Sequence, residues 1–221
     1  MIYFGNLLAH SVKGSIPQNG SMLFDLLGSN TFYVPTDGQY SFVICGKGGN
    51  GGSDYHGNAG GAGGGGGMVW VTLNLLTTDT VSIVHTSDSQ LIVNGSVIVI
   101  AKTGMAGTSG NTDRAGTGGS GGGFTINSSA KIVSGTTGGS NGVGGGSGSF
   151  RPPTNPKGGN AGTITGSGLS AGQLVSAGSI YGKGGDAQGG WPTKPSTTPG
   201  KAAARVIWGS PTRRYPTGDI S

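Results

Sequence analysis

The sequence contains few of the residues that favour helices. It contains no glutamate, since all eight acidic residues are aspartates, and alanine and leucine are sparse. β-Branched and aromatic residues stand between turn-forming residues instead, which is typical of an all-β protein with almost no α-helix. A single cysteine, Cys45, excludes an intrachain disulfide and a thiolate metal cluster. It ends an apolar run and is predicted to be a small buried core residue.

Long apolar runs are missing as well. No stretch of about 18 apolar residues occurs, so the sequence predicts no membrane-spanning helix. Residues 1–9 lack the basic start and the apolar length of a secretory signal peptide. We therefore expect synthesis in the cytoplasm.

Charge is also sparse, at 10% of residues, with 13 Lys and Arg against 8 Asp and a formal net charge of +5. The cations are scattered singly, and only Arg213 and Arg214 are adjacent. An excess of positive charge can favour binding to nucleic acid, anionic lipid or acidic polysaccharide. Because no cluster forms, we expect a solvated basic surface and no nucleic-acid partner.

Glycine dominates what is present, with 51 glycines and 10 prolines in 221 residues. Such a composition is usual in low-complexity sequence, but 33% hydrophobic residues indicate a folded chain. The glycines are unevenly distributed. Residues 46–67 hold 13 glycines in 22 positions, residues 68–103 hold one, and glycine returns from 104 to about 190.

Apolar segments between turn residues predict short strands. Those with the clearest patterns are 22–27, 31–34, 39–45, 68–76, 80–86, 90–93, 96–102 and 202–208. Tyr40, Phe42 and Ile44 should share one face by simple alternation. Asn94-Gly95 is the strongest short hairpin signal in the chain. Residues 97–100 are apolar on both faces, which predicts a strand buried between layers.

These composition shifts divide the chain into three regions. Residues 1–45 form an N-terminal β segment and a candidate attachment region, 46–208 a glycine-rich β domain, and 209–221 a C-terminal tail. The fold expected is a small antiparallel β-sandwich with packed glycine-rich segments.

The glycines follow a three-residue period. One run contains Gly104, Gly107, Gly110, Gly116, Gly119 and Gly122, and similar runs occur at 57–66 and 139–148. This period matches an extended left-handed helix with three residues per turn. Without Cβ atoms, such helices can approach backbone to backbone and exchange N–H···O=C hydrogen bonds. Collagen needs frequent proline, which these runs lack. We therefore predict laterally packed helices of the polyglycine II type.

The order of these elements resembles the glycine-rich domain of bacteriophage tail fibres and other virion proteins. Val34-Pro35 and Gly38 lead into a strand, a polyglycine run follows, and a strand beginning at Met68 ends the run. Two segments near the end of the sequence are similar to a closing signature of such proteins, namely ARVIWG at 204–209 and RYP at 214–216. Polyglycine alone also occurs in silks, plant cell-wall proteins and an ice-binding family. The resemblance therefore rests on the combined order of these elements.

The glycine lattice further resembles T-even-type tail-fibre adhesins, in which a sandwich of glycine helices presents loops to a bacterial receptor. This resemblance implies a virion protein on the phage particle surface, with other virion proteins and a bacterial envelope receptor as partners. That receptor would be an outer-membrane protein or a polysaccharide. A homotrimer is one assembly that the resemblance allows.

The matches to motifs for catalysis or cofactor binding lack the neighbouring residues or repeats that such sites require. Residues 46–51 fit G-x-G-x-x-G, but no helix can follow to complete a dinucleotide site. The Gly-Lys pairs at Gly46, Gly182 and Gly200 lack the following Ser or Thr of a P-loop. A calcium β-roll-like stretch, 182–186, occurs only once, whereas such sites need stacked repeats. We expect no enzyme activity, no cofactor and no metal site.

Candidate receptor contacts are the bulky or charged residues that interrupt glycine. They are Asp54, Tyr55, His56, Arg114, Phe150, Arg151, Tyr181 and Trp191. Glycine helices offer no side chains to cover a ring, so large residues at their turns should be exposed, as in binding surfaces. The alternative is that each ring caps the end of the glycine layer or fills a gap against the core. Trp70 and Trp208 lie within strands and are predicted to be core residues.

Two functions stay open from the sequence. The first is a receptor-binding adhesin or fibre-tip protein, and the second is a structural virion protein, such as a capsid decoration, tail or fibre subunit.

Overall fold

The computed structural model describes residues 19–55, 58–149, 156–162, 181–187, 198–209 and 214–215. These residues contain ten strands and no helix. The strands are β1 Gly20–Phe24, β2 Gly28–Tyr33, β3 Gly38–Cys45, β4 Met68–Leu75, β5 Thr80–His85, β6 Ser89–Val93, β7 Ser96–Ala101, β8 Phe124–Ile126, β9 Gly138–Ser140 and β10 Ala203–Trp208. Residues 1–9, for which no signal peptide is predicted, lie outside the described residues.

The strands form two antiparallel five-stranded sheets. Sheet 1 has the order β1-β10-β3-β4-β9, and sheet 2 the order β2-β5-β6-β7-β8. A single cluster of buried side chains contains Phe42 and Val71 of sheet 1 together with Ile83 and Leu91 of sheet 2. The two sheets therefore pack face to face around one apolar core, and the predicted all-β sandwich is confirmed at this level.

The alternation of side chains in β3 explains which of them are buried on each face of sheet 1. Tyr40, Phe42 and Ile44 point into the core between the sheets, as their alternation predicts. Val43 and Cys45 point to the opposite face of sheet 1, where a second buried cluster covers them. This second cluster includes Trp70 and Ala161, so sheet 1 is buried on both faces, and Cys45 is fully buried as predicted.

Two predicted strands need correction. The apolar run 22–27 is not one strand, because β1 ends at Phe24 and the chain reverses, leaving Leu26 and Leu27 exposed in the turn. The run 97–100 is not buried on both faces. A register shift pairs Leu91 with Val99 but Ile92 with Val97, and this β-bulge leaves one residue of β7 unpaired. The bulge accounts for two consecutive buried side chains, with their neighbours only half-buried.

The other strong patterns agree with the structure. Asn94 and Gly95 both have positive φ, as the predicted two-residue hairpin turn between β6 and β7 requires. Trp70 is buried and Trp208 is partly buried against the core. Within residues 19–45, β1 and β3 pair with β10, and β2 pairs with β5. The described part of the predicted N-terminal region thus belongs to both sheets of the sandwich.

Glycine-rich segments extend from one end of the sandwich. We name them g1 (46–53), g2 (58–67), g3 (102–111), g4 (114–123), g5 (141–149), g6 (156–162), g7 (181–187) and g8 (198–201), and together they form the glycine layer. Segment g1 begins directly after β3, g2 ends directly before β4, g3 follows β7 and g4 precedes β8. The strands therefore hold one end of the layer, and the chain reverses at the other end.

A candidate binding surface at the far end of the glycine layer

Segment g2 lies at the centre of the glycine layer and bonds to six neighbours. Its N–H groups donate to g3 from Gly61, Gly64 and Gly67, to g5 from Ala59, Ala62 and Gly65, and to g7 from Gly63 and Gly66. Its carbonyls accept from g1 at Gly61, Gly64 and Gly67, from g4 at Ala59, Ala62 and Gly65, and from g6 at Gly63 and Gly66. Every third residue thus faces the same pair of neighbours. The predicted hydrogen bonds between glycine segments are present.

The close approach of these backbones explains the glycine period. A Cβ atom built on Gly104 or Gly107 would lie within 3.0 Å of backbone atoms of g2. On Gly119 or Gly122 it would meet the backbone of g3 just as closely. Only glycine allows two main chains to come this near. The period-three run from 104 to 122 therefore marks the contacts within the layer.

The chain reverses twice in similar ways at the far end of the layer. Between g1 and g2, Tyr55 and Asn58 exchange both backbone hydrogen bonds, with N···O distances of 3.0 and 2.9 Å. Between g3 and g4, the N–H of Asn111 donates to the carbonyl of Arg114 at 2.9 Å. The side-chain oxygen of Asn111 accepts from the N–H groups of Asp113 and Arg114 at 3.0 and 2.8 Å. Both reversals are therefore tight turns closed by local hydrogen bonds.

These two turns belong to one surface. The side-chain amide of Asn58 donates to the carbonyls of Asn111 and Thr112, and the N–H of Gly110 donates to Ser53 O at 3.0 Å. The end of g5 is adjacent, because the N–H of Ala59 donates to Ser149 O. We name the described residues 53–55, 58 and 111–114 the turn surface.

The turn surface contains two of the predicted contact residues as exposed side chains. Tyr55 is 46% exposed, and Arg114 is exposed in the neighbouring turn. Asp54 lies in the same turn as Tyr55 but is buried. The predicted contacts His56, Phe150, Arg151 and Trp191 lie outside the described residues.

Tyr181, a predicted receptor contact, lies away from the turn surface. It begins g7, next to the sandwich, and packs half-buried against the second core cluster. Its hydroxyl donates to Asp25 Oδ2 at 2.8 Å. Burial, together with this carboxylate, raises the pKa of Tyr181 to about 12. The structure therefore does not bring Tyr181 together with Tyr55 and Arg114. Of the predicted contacts in the described residues, only Tyr55 and Arg114 are exposed on the turn surface, since Asp54 is buried there.

Sequence reasoning missed the residues that join the turns. Asn58 and Asn111 carry no charge or ring, so they did not stand out beside Tyr55 and Arg114. Both could have been predicted as turn residues, because asparagine in a glycine-rich stretch is typical of turns, where its side chain bonds to nearby backbone. Here that bonding holds two separate turns at a fixed spacing.

A histidine and a serine lie in contact inside the sandwich. His85 Nδ1 is 3.0 Å from Ser89 Oγ, and His85 Nε2 donates to the carbonyl of Phe24 at 3.1 Å. Ser89 Oγ also donates to Cys45 O at 3.0 Å, and both side chains are buried. Burial lowers the pKa of His85, although the Phe24 carbonyl and the charge of Asp25 oppose this effect. We interpret the pair as a buried link between strands.

The lowered pKa of His85 predicts a loss of stability in mild acid. The unfolded chain takes up a proton near the ordinary pKa of 6.5, whereas the folded chain takes it up only at lower pH. The stabilising contribution is therefore present above pH 6.5 and is lost as the pH falls below it. Urea unfolding at pH 7.5 and pH 5.0 measures this loss. We expect a smaller loss in His85→Gln, and an equal loss in both proteins would contradict the assignment.

Other kinds of site are not evident in the part of the chain that the structure describes. No group of three or more His, Cys, Asp or Glu side chains comes together there as a metal site would require. Those residues also include no helix that is long and apolar enough to cross a membrane. Comparison with protein-family models finds no matching family, and comparison with curated proteins finds no match.

Proposed function

We propose that this chain is a phage virion protein that binds a bacterial surface component through the turn surface. The observation that carries the proposal is that separate turns of the glycine layer meet at one end, with Tyr55 and Arg114 exposed there. Exposed tyrosine and arginine are the residue types that contribute most to protein binding surfaces. The role is that of an adhesin or tail-fibre tip and not of an enzyme.

The finer structure of the layer belongs to the same proposal. We assign g1 to g8 as polyglycine II-type helices, packed side by side. The three-residue period of the hydrogen bonds and the six neighbours of g2 support this assignment. A threefold helix directs its peptide groups in three directions per turn. Three successive residues of a central helix can therefore bond to three different pairs of neighbours, and the pattern then repeats.

Such a layer suits receptor binding because it fixes the turns before any contact is made. Backbone hydrogen bonds hold each segment, so the layer itself does not depend on the exposed side chains of the turns. Binding by a preformed surface avoids much of the entropy lost when loops become ordered on binding. The turns can then differ in sequence without disturbing the layer that supports them.

The charge of the chain favours an acidic receptor. The net charge of the whole chain is +5, whereas on the turn surface Arg114 lies next to the exposed Asp113. Anionic lipopolysaccharide or an acidic patch of an outer-membrane protein would attract the chain as a whole and speed encounter, with a dependence on salt. We place the protein on the virion surface, bound to other virion proteins, with a homotrimer as one candidate assembly.

Competition with phage adsorption tests the proposal. Purified protein should bind host cells and reduce adsorption of the phage. The Tyr55→Ala/Arg114→Ala variant should lose at least about ten-fold in cell binding, which corresponds to about 1.4 kcal/mol. Tyr33→Ala is the matched control, since Tyr33 is a 72% exposed tyrosine on the sandwich.

The same experiment separates the adhesin from the second hypothesis. If the wild-type protein neither binds cells nor competes, a structural role in the capsid, tail or fibre becomes the better explanation. If Tyr33→Ala loses as much binding as the double variant, the contact surface lies elsewhere on the molecule.

A further inference from the structure

A groove runs along the outside of the glycine layer between g1 and g3. It contains a cavity of about 170 Å³, lined by Lys47 and Asn50 of g1 and by Thr103, Gly104 and Ala106 of g3. We name it the g1–g3 groove. Its g3 wall consists of main chain and short side chains, so a narrow extended molecule fits it better than a bulky one.

Hydrogen-bond donors of g1 point into this groove. The N–H of Ser53 donates to Ser109 Oγ of g3 at 3.1 Å. The carbonyls of Lys47, Asn50 and Ser53 all accept from g3, so the three residues have the same orientation in the layer. The N–H of Asn50 therefore also points towards the side chains of g3, where Ala106 stands in place of Ser109 and has no oxygen. Within the described residues, the N–H groups of Lys47 and Asn50 have no acceptor.

Hydrogen-bond acceptors of g3 point into the same groove. The N–H groups of Gly104 and Gly107 donate to g1. In g2, the N–H and the C=O of one residue point to adjacent segments, such as g3 and g1, and the carbonyls of g3 that face g2 are those of Met105 and Thr108. The carbonyls of Gly104 and Gly107 therefore face the other position adjacent to g1, which is the groove. They accept no hydrogen bond within the described part of the chain.

Segment g8 shows how such a groove binds an extended segment. It lies between g1 and g7, where the N–H of Gly48 donates to Gly200 O at 3.1 Å and the N–H of Gly200 donates to Lys183 O at 2.7 Å. The backbone of g8 thus bonds to both walls, accepting from g1 and donating to g7. The g1–g3 groove offers the same combination, with donors on the g1 wall and acceptors on the g3 wall.

We propose that the g1–g3 groove binds an extended, glycine-rich segment of another polypeptide as one more member of the layer. Main-chain hydrogen bonds hold the segment, as they do when an extended peptide adds to the edge of a sheet. Residues 47–53 span about 19 Å in a threefold helix, so the groove accommodates about six residues. Glycine is needed because a Cβ atom between such closely packed backbones overlaps the neighbour, as it would on Gly49 against Met105 O.

The partner is a different polypeptide and not a second copy of this chain. In the described part of the chain, all eight glycine-rich segments already bond within their own layer, so a second copy offers none of them as a ligand. Within the proposed function, such a partner is another virion protein. This contact rests on the proposed threefold packing of g1 to g8 and does not depend on receptor binding by the turn surface. A loss of cell binding in Tyr55→Ala/Arg114→Ala therefore leaves it unaffected.

Peptide binding followed by NMR tests the proposal. The probe is a peptide of three Gly-Gly-Asn repeats with blocked ends, added to the full-length protein. We expect saturable shifts of the Lys47 and Asn50 amide signals, with a dissociation constant of about 1 mM or below. A peptide of three Ala-Ala-Asn repeats should cause no shifts, because its Cβ atoms have no space beside the walls.

A substitution within the groove provides the second measurement. Ala106 is exposed, so Ala106→Leu should fill the groove without disturbing a core and should weaken peptide binding at least about ten-fold. Ser120→Leu is the matched control, since Ser120 is exposed on g4, and its affinity should equal that of the wild type. An absence of shifts in the wild-type protein, or an equal affinity in Ala106→Leu, would overturn the proposal. Dimer formation by the protein alone that Ala106→Leu abolishes would also overturn it, because a second copy would then occupy the groove.

Discussion

Gly64→Ala is expected to destabilise the protein by about 3 kcal/mol or more, because the added methyl group has no space. A Cβ atom on Gly64 would overlap the backbone of Ser120 in g4. Gly64 also donates to Met105 O at 2.9 Å and accepts from the N–H of Gly49 at 2.8 Å. The main chain cannot move away from g4 without lengthening hydrogen bonds to g1 or g3. Urea unfolding of the purified variant measures the loss.

Gly144→Ala is the matched control within the glycine layer. A Cβ atom on Gly144 would meet only Gly119 O, at 3.5 Å, which is an ordinary contact. Its stability should change by less than about 1 kcal/mol, since alanine also restricts the unfolded chain. Equal losses in both variants would show that glycine is needed for flexibility alone. An unchanged stability of Gly64→Ala would contradict the close packing of g2.

Phe32→Ala should cost about 3–5 kcal/mol, the usual loss for removing a buried aromatic side chain. Phe32 is only 2% exposed and belongs to β2 of sheet 2. Its ring lies 5.6–6.1 Å from the rings of Tyr40, Phe42 and Trp208, which all belong to sheet 1. The side chain thus joins the two sheets.

The neighbouring residue provides the control for Phe32→Ala. Tyr33 points the other way on the same strand and is 72% exposed, so Tyr33→Ala should change stability by no more than about 0.5 kcal/mol. Thermal or urea unfolding of the two variants measures the difference. Similar losses in both would mean that the aromatic cluster does not hold the sheets together.

The sandwich could be predicted from the sequence where side chains carry a pattern. Strands such as β4, β5 and β10 alternate or run apolar between clear turns, and their predicted bounds differ from the observed ones by at most one residue. Strand β9 was missed because its sequence, Gly138–Ser140, has no side chain that could show a period. The bulge in β7 was missed because it depends on pairing with β6, which no single strand reveals.

The glycine layer could be predicted only in part. The period of three indicated that backbones approach each other, but glycine has no side chain to specify which segments become neighbours. Tyr55 and Arg114 were correctly expected at exposed turns, whereas Tyr181 lies at the sandwich end of g7. The receptor role itself stays a prediction.

The central position of g2 also affects how stability depends on temperature. Unfolding of an ordinary core exposes hydrocarbon to water, which raises the heat capacity, whereas exposure of peptide groups lowers it. Segment g2 is buried almost entirely as backbone, so its release exposes mainly amide and carbonyl groups. The heat-capacity increment per residue is therefore smaller than in a domain filled with side chains. The free-energy curve becomes broader, and cold weakens this layer less than it weakens the sandwich beside it.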